Sequence, residues 1–314
     1  MRIPGATDLS NAARALLPAS SRPLPIVDTA ADPGLFGPGS VTWRVMAEPR
    51  LMFGAGRALL MQAANPLVAE GAIEHSTYAT DPFGRFERTV EWVTVTCFGT
   101  TREARRAARE VNRLHSRVEG SLSREHATAA IEEGSAYSGR DPELLRWVHA
   151  TFVDTMLVTH DAFVGGLFEE ERDRFVREWH AVAALMGVPQ RSLWESRAEL
   201  TEYVDDQQMR QAVARPGDGS RLVAATVLHP PVSSAAMRPG WALVTFATVG
   251  LLPASTRRAY GIRWTPAHTA AHQALALGLR SGSTTLPRRL RVSPVYDRAM
   301  ARTDGRLEET VGAA

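Results

Sequence analysis

The amino-acid sequence predicts an all-α fold: a single-domain bundle of roughly ten helices, and three observations carry that expectation. Helix starts are written with explicit caps: Thr100-Thr-Arg-Glu103 is a capping box, and Asp141-Pro142-Glu143 puts a proline at the first helical position and an acid in the first turn. Apolar residues recur at helical spacing along most of the chain. Strand-like alternation is scarce, and no repeat occurs at solenoid periods.

Taken in order, residues 1–40 are rich in Pro, Gly, Ala and Ser and read as a partly irregular arm ending in the turn material Asp32 to Ser40. Val41 to Glu48 reads as a short helix or strand. An amphipathic run from Arg57 bends at Pro66, carries Glu70, Glu74 and His75, and breaks over Ser76 to Pro82. A second run opens Gly84-Arg-Phe-Glu-Arg-Thr89. On a helix Arg85, Arg88 and Thr89 share one face, which Trp92, Val93 and Thr96 continue.

The capping box at Thr100 starts a long helix through Val118, closed by Gly120 and carrying His115 near its end. A short helix is expected over Glu125 to Glu133, then one from Leu144 to Phe163 holding Trp147, His149, Asp154 and His160. Glu169 to Met186 reads as one charged helix stopped by Gly187, and Glu199 to Ala214 as another. Arg215 to Ser220 is a loop, and Leu222 to Leu228 is helix or strand, ended by His229-Pro-Pro231. Helical runs follow at Trp241 to Leu252, Pro253 to Tyr260 and Pro266 to Leu279. The expected organisation is an arm (1–40), a helical domain (41–280) and a basic tail (281–314).

Composition excludes several chemistries. Cys97 is the single cysteine, so intramolecular disulfides, CxxC redox sites and thiolate zinc clusters are out. All 36 basic residues are arginine, which removes Schiff-base lysines and the phosphate-loop lysine. A net charge of +2 gives no electrostatic case for nucleic acid, and the cluster Arg102 to Arg113 is interleaved with Glu103 and Glu110 as a solvated helix face. No stretch reaches the roughly 20 apolar residues of a transmembrane helix, and the start has no basic segment followed by a continuous apolar one, so the expectation is cytoplasmic.

Gly54-Ala-Gly56 lacks the strand and third glycine of a dinucleotide fingerprint, and His268 with His272 lacks the glutamate of an HExxH zinc site. His75, His115 and His149 remain, each in an amphipathic helical context where an imidazole can meet a metal. Buried histidines and arginines in an all-α bundle invite a haem reading, since arginines pair with propionates and facing helices sandwich a macrocycle.

Four runs carry more: HSTYATDPFGRFERTVEWVTVTCFGT (75–100), VNRLHSRVEG (111–120), DPELLRWVHATFVDTMLVTHDAF (141–163) and LMGVP (185–189). Together, over roughly residues 40–280, they resemble the family of the rubber oxygenases (latex-clearing proteins) and the fungal mycophenolic-acid-pathway oxygenase, which cleaves a farnesyl side chain. The resemblance implies a helical bundle enclosing a non-covalent haem b and a reaction of O2 with a hydrophobic small molecule, isoprenoid, alkene or aromatic. By the same resemblance His115 matches the proximal iron ligand, and Arg85 with Thr89 the distal residues. Arg85, Arg88 and His149 are further cofactor contacts, His149 as structural support. Glu70 or Glu74 falls near the family's distal glutamate, a base expected to have a pKa raised toward working pH.

Where rubber oxygenases can close the sixth iron position with a lysine before the threonine, this sequence has Arg88, so that closed state cannot form. A redox partner enters only if the chemistry needs external electrons. Two other readings stand beside the oxygenase: a haem-free helical module caging an apolar ligand, and a non-haem iron or zinc enzyme using Glu70, Glu74 and His75.

Overall fold

A computed structural model of the chain describes residues 32–77, 80–210, 216–230, 235–282 and 292–304; most of the expected arm, Arg215 and parts of the expected tail lie outside them. Ser40 ends the turn-rich lead-in by accepting a hydrogen bond from the Trp43 backbone at 3.0 Å, and α1 (Val41–Met46) follows as a helix. Trp43 is completely buried and donates its indole N–H to the Cys97 carbonyl at 2.7 Å.

A 3-10 turn (Pro49–Gly54) leads into α2 (Ala55–Ala63) and, past Asn65, α3 (Pro66–His75). Gly54 and Gly56, which fail as a dinucleotide fingerprint, mark close packing instead. A Cβ on Gly54 would lie 2.1 Å from the Thr159 hydroxyl, and one on Gly56 would lie 2.8 Å from Thr248. Then come α4 (Pro82–Phe98) and α5 (Thr101–His115), packed together and joined at Gly99 and Thr100, where the expected capping box forms. Thr100 N–H donates to Glu103 at 2.7 Å, and Glu103 N–H returns to the Thr100 hydroxyl at 3.2 Å.

Residues Glu125 to Glu133 are not the helix the sequence suggested. They form a turn-rich loop between two short antiparallel strands, β1 (Glu119–Ser121) and β2 (Ala136–Ser138), with Gly120 opposite Tyr137. The pattern misled because Glu, Ala and Ile dominate the segment, while its caps point elsewhere: Thr128 and Glu132 bond locally in turns.

The central helix, α6 (Pro142–Phe163), runs through the core with Trp147, Val153, Leu157 and Phe163 buried. Its buried polar residues are matched from α2. Arg57, 3% exposed, donates to Asp154 at 2.7 Å, to the Thr155 hydroxyl at 2.5 Å and to the Leu251 carbonyl at 2.9 Å, while Arg197 approaches Asp154 at 3.4 Å. The expected single helix 169–186 is two, α7 (Glu169–Glu178) and α8 (His180–Met186), because the chain bends to bury Trp179 against Phe36, Phe152 and Phe175. Gly187, at φ +92°, ends α8 as the left-handed cap its position predicts.

The remaining helices are α9 (Arg197–Arg210), α10 (Asp218–Leu228), α11 (Arg238–Leu251), α12 (Ala254–Ala259) and α13 (Pro266–Gly282). A last helix, α14 (Pro294–Thr303), falls in the stretch read as a tail. It is core: Val295 and Ala299 are buried, Tyr296 meets the Trp43 ring edge-on at 5.9 Å, and Arg302 donates to the Phe98 carbonyl at 2.8 Å. The all-α reading holds, with the β1–β2 pair the one sheet among the described residues. No helix among them is long and apolar enough to cross a membrane.

Candidate functional site

The α4–α5 hairpin sets the frame. Asp81 caps α4 by accepting from Gly84 N–H at 2.9 Å, and Pro82 occupies the first helical position. At a rise of about 1.5 Å per residue, Arg85 and His115 each lie about 20 Å along their helices from the joining residues, so both stand at the open end of the hairpin. Arg85 is half-buried; Arg88 and Thr89 are exposed. Arg88 donates to the Thr77 hydroxyl at 3.0 Å and pairs with Asp81 at 3.4 Å. Thr89 gives its hydroxyl proton to the Arg85 carbonyl at 3.0 Å, which leaves its oxygen free to accept.

His115 closes α5. Asn112 anchors that end to α8 by donating to the Leu185 carbonyl at 2.8 Å. The returning strand passes so close that a Cβ on Gly139 would sit 2.7 Å from the His115 carbonyl oxygen. The His115 Nδ1 is buried with no hydrogen-bond partner among the described residues, and burial pushes the imidazole below its ordinary pKa, toward the neutral ring.

The second wall is α3 against the β1–β2 hairpin. Glu70, 1% exposed, accepts from Ser123 N–H at 3.1 Å through one oxygen and is joined to His126 Nδ1 through the other. Burial alone would raise its carboxyl, but the hydrogen bonds from His126 and Ser123 outweigh that and hold it below the usual carboxylate range. This is the opposite direction from the raised base the sequence suggested. One turn on, Glu74 accepts the Tyr137 hydroxyl proton, and His75 Nε2 lies 3.1 Å from the same oxygen. Burial, then the hydrogen bond to Glu74, push the Tyr137 phenol up. Gly71 lets α3 meet both Tyr137 and Val118, so this wall joins the end of α5 through the hairpin.

His149 sits on the α6 face toward α8, its ring 6.3 Å from Trp179, and burial with His180 nearby lowers it to about 3. His268 and His272 belong to an aromatic stack: Trp264 lies over His268 at 5.2 Å, and His272 faces the Ala247 carbonyl at 3.3 Å. Among the described residues no three His, Cys, Asp or Glu side chains gather as a metal set, so Glu70, Glu74 and His75 do not form one.

The structure therefore sets Arg85, Arg88, Thr89 and His115 at one end of a hairpin and turns both α3 carboxylates to other partners. His126 escaped the sequence reading because its segment was taken as helix, and Tyr137 because it lies past that segment in a stretch to which no element was assigned. The signal that could have found Tyr137 is the Gly134 to Gly139 run, with glycine at both ends and Tyr137 buried between a more open Ala136 and Ser138.

A family model described as "ER-bound oxygenase mpaB/B'/Rubber oxygenase, catalytic domain" matches residues 43–281. Comparison with curated proteins and with solved structures gives no match. The family match begins within α1, ends in α13 and takes in both walls of the site, and on it the chain belongs to the mpaB and rubber oxygenase family and carries that family's oxygenase catalytic domain.

Proposed function

We propose that the chain is a cytoplasmic, haem b-dependent oxygenase acting with O2 on a hydrophobic small molecule, an isoprenoid, alkene or aromatic metabolite, with its catalytic helices between residues 41 and 280. The observation that carries the reading is His115. A buried ring nitrogen in a purely structural role normally has a hydrogen-bond partner. His115 instead has an Nδ1 without a partner among the described residues and a ring pushed toward the neutral form, at the open end of α4–α5, which suits a nitrogen ligand to iron.

When bound, haem would supply the redox-active iron that activates dioxygen. The chain's own residues then have distinct tasks. His115 would hold the iron from α5, and Arg85 and Arg88 on α4 offer guanidinium groups to anionic edges of the cofactor and to charge that develops on the oxygen side. Thr89, whose proton goes to the Arg85 carbonyl, contributes an accepting oxygen there. Half-buried Trp92 and Val93 continue the α4 face as an apolar surface that excludes water from a hydrophobic substrate. Proton transfer falls to the α3 wall, through Glu70 with His126 or Glu74 with Tyr137. His149 keeps a supporting role, packed on Trp179.

An ultraviolet–visible spectrum tests this directly. The protein as purified should show a Soret band, and His115→Ala should fold with unchanged circular dichroism but purify without it. A wild-type protein without the band after haem reconstitution, or a His115→Ala variant with full haem, would overturn the proposal. The first outcome would favour a haem-free module for an apolar ligand.

A further inference from the structure

The α3 wall holds two carboxylates one helical turn apart, and their surroundings differ. Glu74, its own side chain 45% exposed, accepts the proton of the buried Tyr137 hydroxyl, with His75 against the same hydroxyl. Glu70 is closed off, one oxygen capped by Ser123 N–H and the other by His126 Nδ1, so neither oxygen is open to a reacting molecule. The histidine is the member of the pair that faces outward. Its side chain is 15% exposed against 2% for that of Glu70, and its ring is locked in place by neighbours: Cβ atoms added to Gly217 or Gly219 would strike the His126 backbone or ring within 3.0 Å. A buried carboxylate that accepts from Nδ1 fixes the imidazole as the Nδ1–H tautomer and turns a bare Nε2 away from itself.

We propose that the proton-accepting atom of this wall is His126 Nε2, with Glu70 as the positioning residue that holds its tautomer. The inference rests on the oxygenase reading for its use, since a base beside the site would take a proton from carbon or oxygen of the substrate. It does not rest on haem for its geometry. The proton balance is simple. Nε2 takes one proton from the substrate, giving an imidazolium whose Nδ1–H remains on the Glu70 carboxylate, and the same proton leaves from Nε2 to product or solvent.

The test is the nitrogen-15 and proton spectrum of the histidines in the full chain at pH 8, with His126 assigned by its loss in His126→Gln. The expected result is a single neutral ring, protonated at Nδ1, with that proton far downfield and Nε2 at the shift of an unprotonated nitrogen. In Glu70→Gln the population should move at least tenfold toward the Nε2–H form. A wild-type ring protonated on Nε2 alone would overturn the proposal, as would an imidazolium protonated on both nitrogens at pH 8. Wild-type data decide even if Glu70→Gln fails to fold. Loss of the Soret band leaves these signals in place, so failure of the haem reading and failure of the Glu70–His126 assignment are read separately.

Discussion

Two arginine-centred regions of this chain follow opposite rules. Beneath α6, Arg57 is buried and each of its three guanidinium nitrogens donates, to Asp154, to the Thr155 hydroxyl and to the Leu251 carbonyl. At the open end of α4–α5, Arg88 is exposed and held, among the described residues, by a turn threonine and a 3.4 Å ion pair, and His115 at the end of α5 has a buried nitrogen without a partner among them. The polar groups of the first region serve the fold, and the second presents an exposed guanidinium and a buried ring nitrogen that has no partner among the described residues. A site for a charged or metal-bearing ligand belongs in the second.

The sharpest way to break the comparison is Asp154→Ala. It leaves Arg57 buried without its counter-charge, and loss of one partner of such a pair costs about 3–5 kcal/mol. Chemical denaturation should show that loss with secondary structure retained in water. A cost below about 1 kcal/mol would mean the pin is not what fixes α2 to α6.

Acid should act on the buried region next. His149 is lowered to about 3 and His160 to about 4, both chiefly by burial, against an ordinary value near 6.5. As pH falls below about 6.5 the unfolded chain binds these protons first, so stability is complete above that pH and declines toward pH 4. Each histidine contributes up to about 1.4 kcal/mol per pH unit in that window. His149→Gln should flatten the slope of unfolding free energy between pH 6 and 4 by up to one proton, and an unchanged slope would place its imidazole in contact with water.

Thr100→Ala tests the closed end of the hairpin that carries the open one. Losing the hydroxyl that caps Glu103 should cost about 1 kcal/mol, read as a shift in denaturation midpoint at unchanged slope. Haem retention should not change, because the cap lies about 20 Å from Arg85 and His115 along the helices.

These contrasts also explain what the sequence could tell. The capped starts at Thr100 and Asp141 and the glycine stop at Gly187 were legible because caps are local chemistry, and all three formed as written. The break at Trp179 was not, since it is driven by four rings that meet only in the folded core. The tail failed for the same reason: the pattern Pro294-Val-Tyr-Asp looks like a solvated stretch until Trp43 and Phe98 are brought beneath Tyr296. At the candidate site, helical spacing placed Arg85, Arg88 and Thr89 correctly on one helix and His115 at the end of the next. The partners of Glu70 and Glu74 could not be read, because His126 and Tyr137 reach α3 through a long-range hairpin whose strands are three residues each.

The smallest expected effect on stability is at Arg88, and it divides the two regions most cleanly. Its ion pair with Asp81 is between side chains 59% and 52% exposed, a setting in which such pairs contribute about 0.5 kcal/mol or less. Arg88→Ala should therefore unfold at nearly the wild-type midpoint, in contrast to Asp154→Ala. If Arg88 is kept for a ligand rather than for the fold, the same variant should bind haem more weakly in titrations of the apo protein, and more so at low salt, where an exposed guanidinium contributes most. Arg88→Lys should recover part of the affinity, because it restores charge without the planar fork. An Arg88→Ala variant that lost several kcal/mol of stability but bound haem like the wild type would reverse the assignment, making α4's open end another piece of structure.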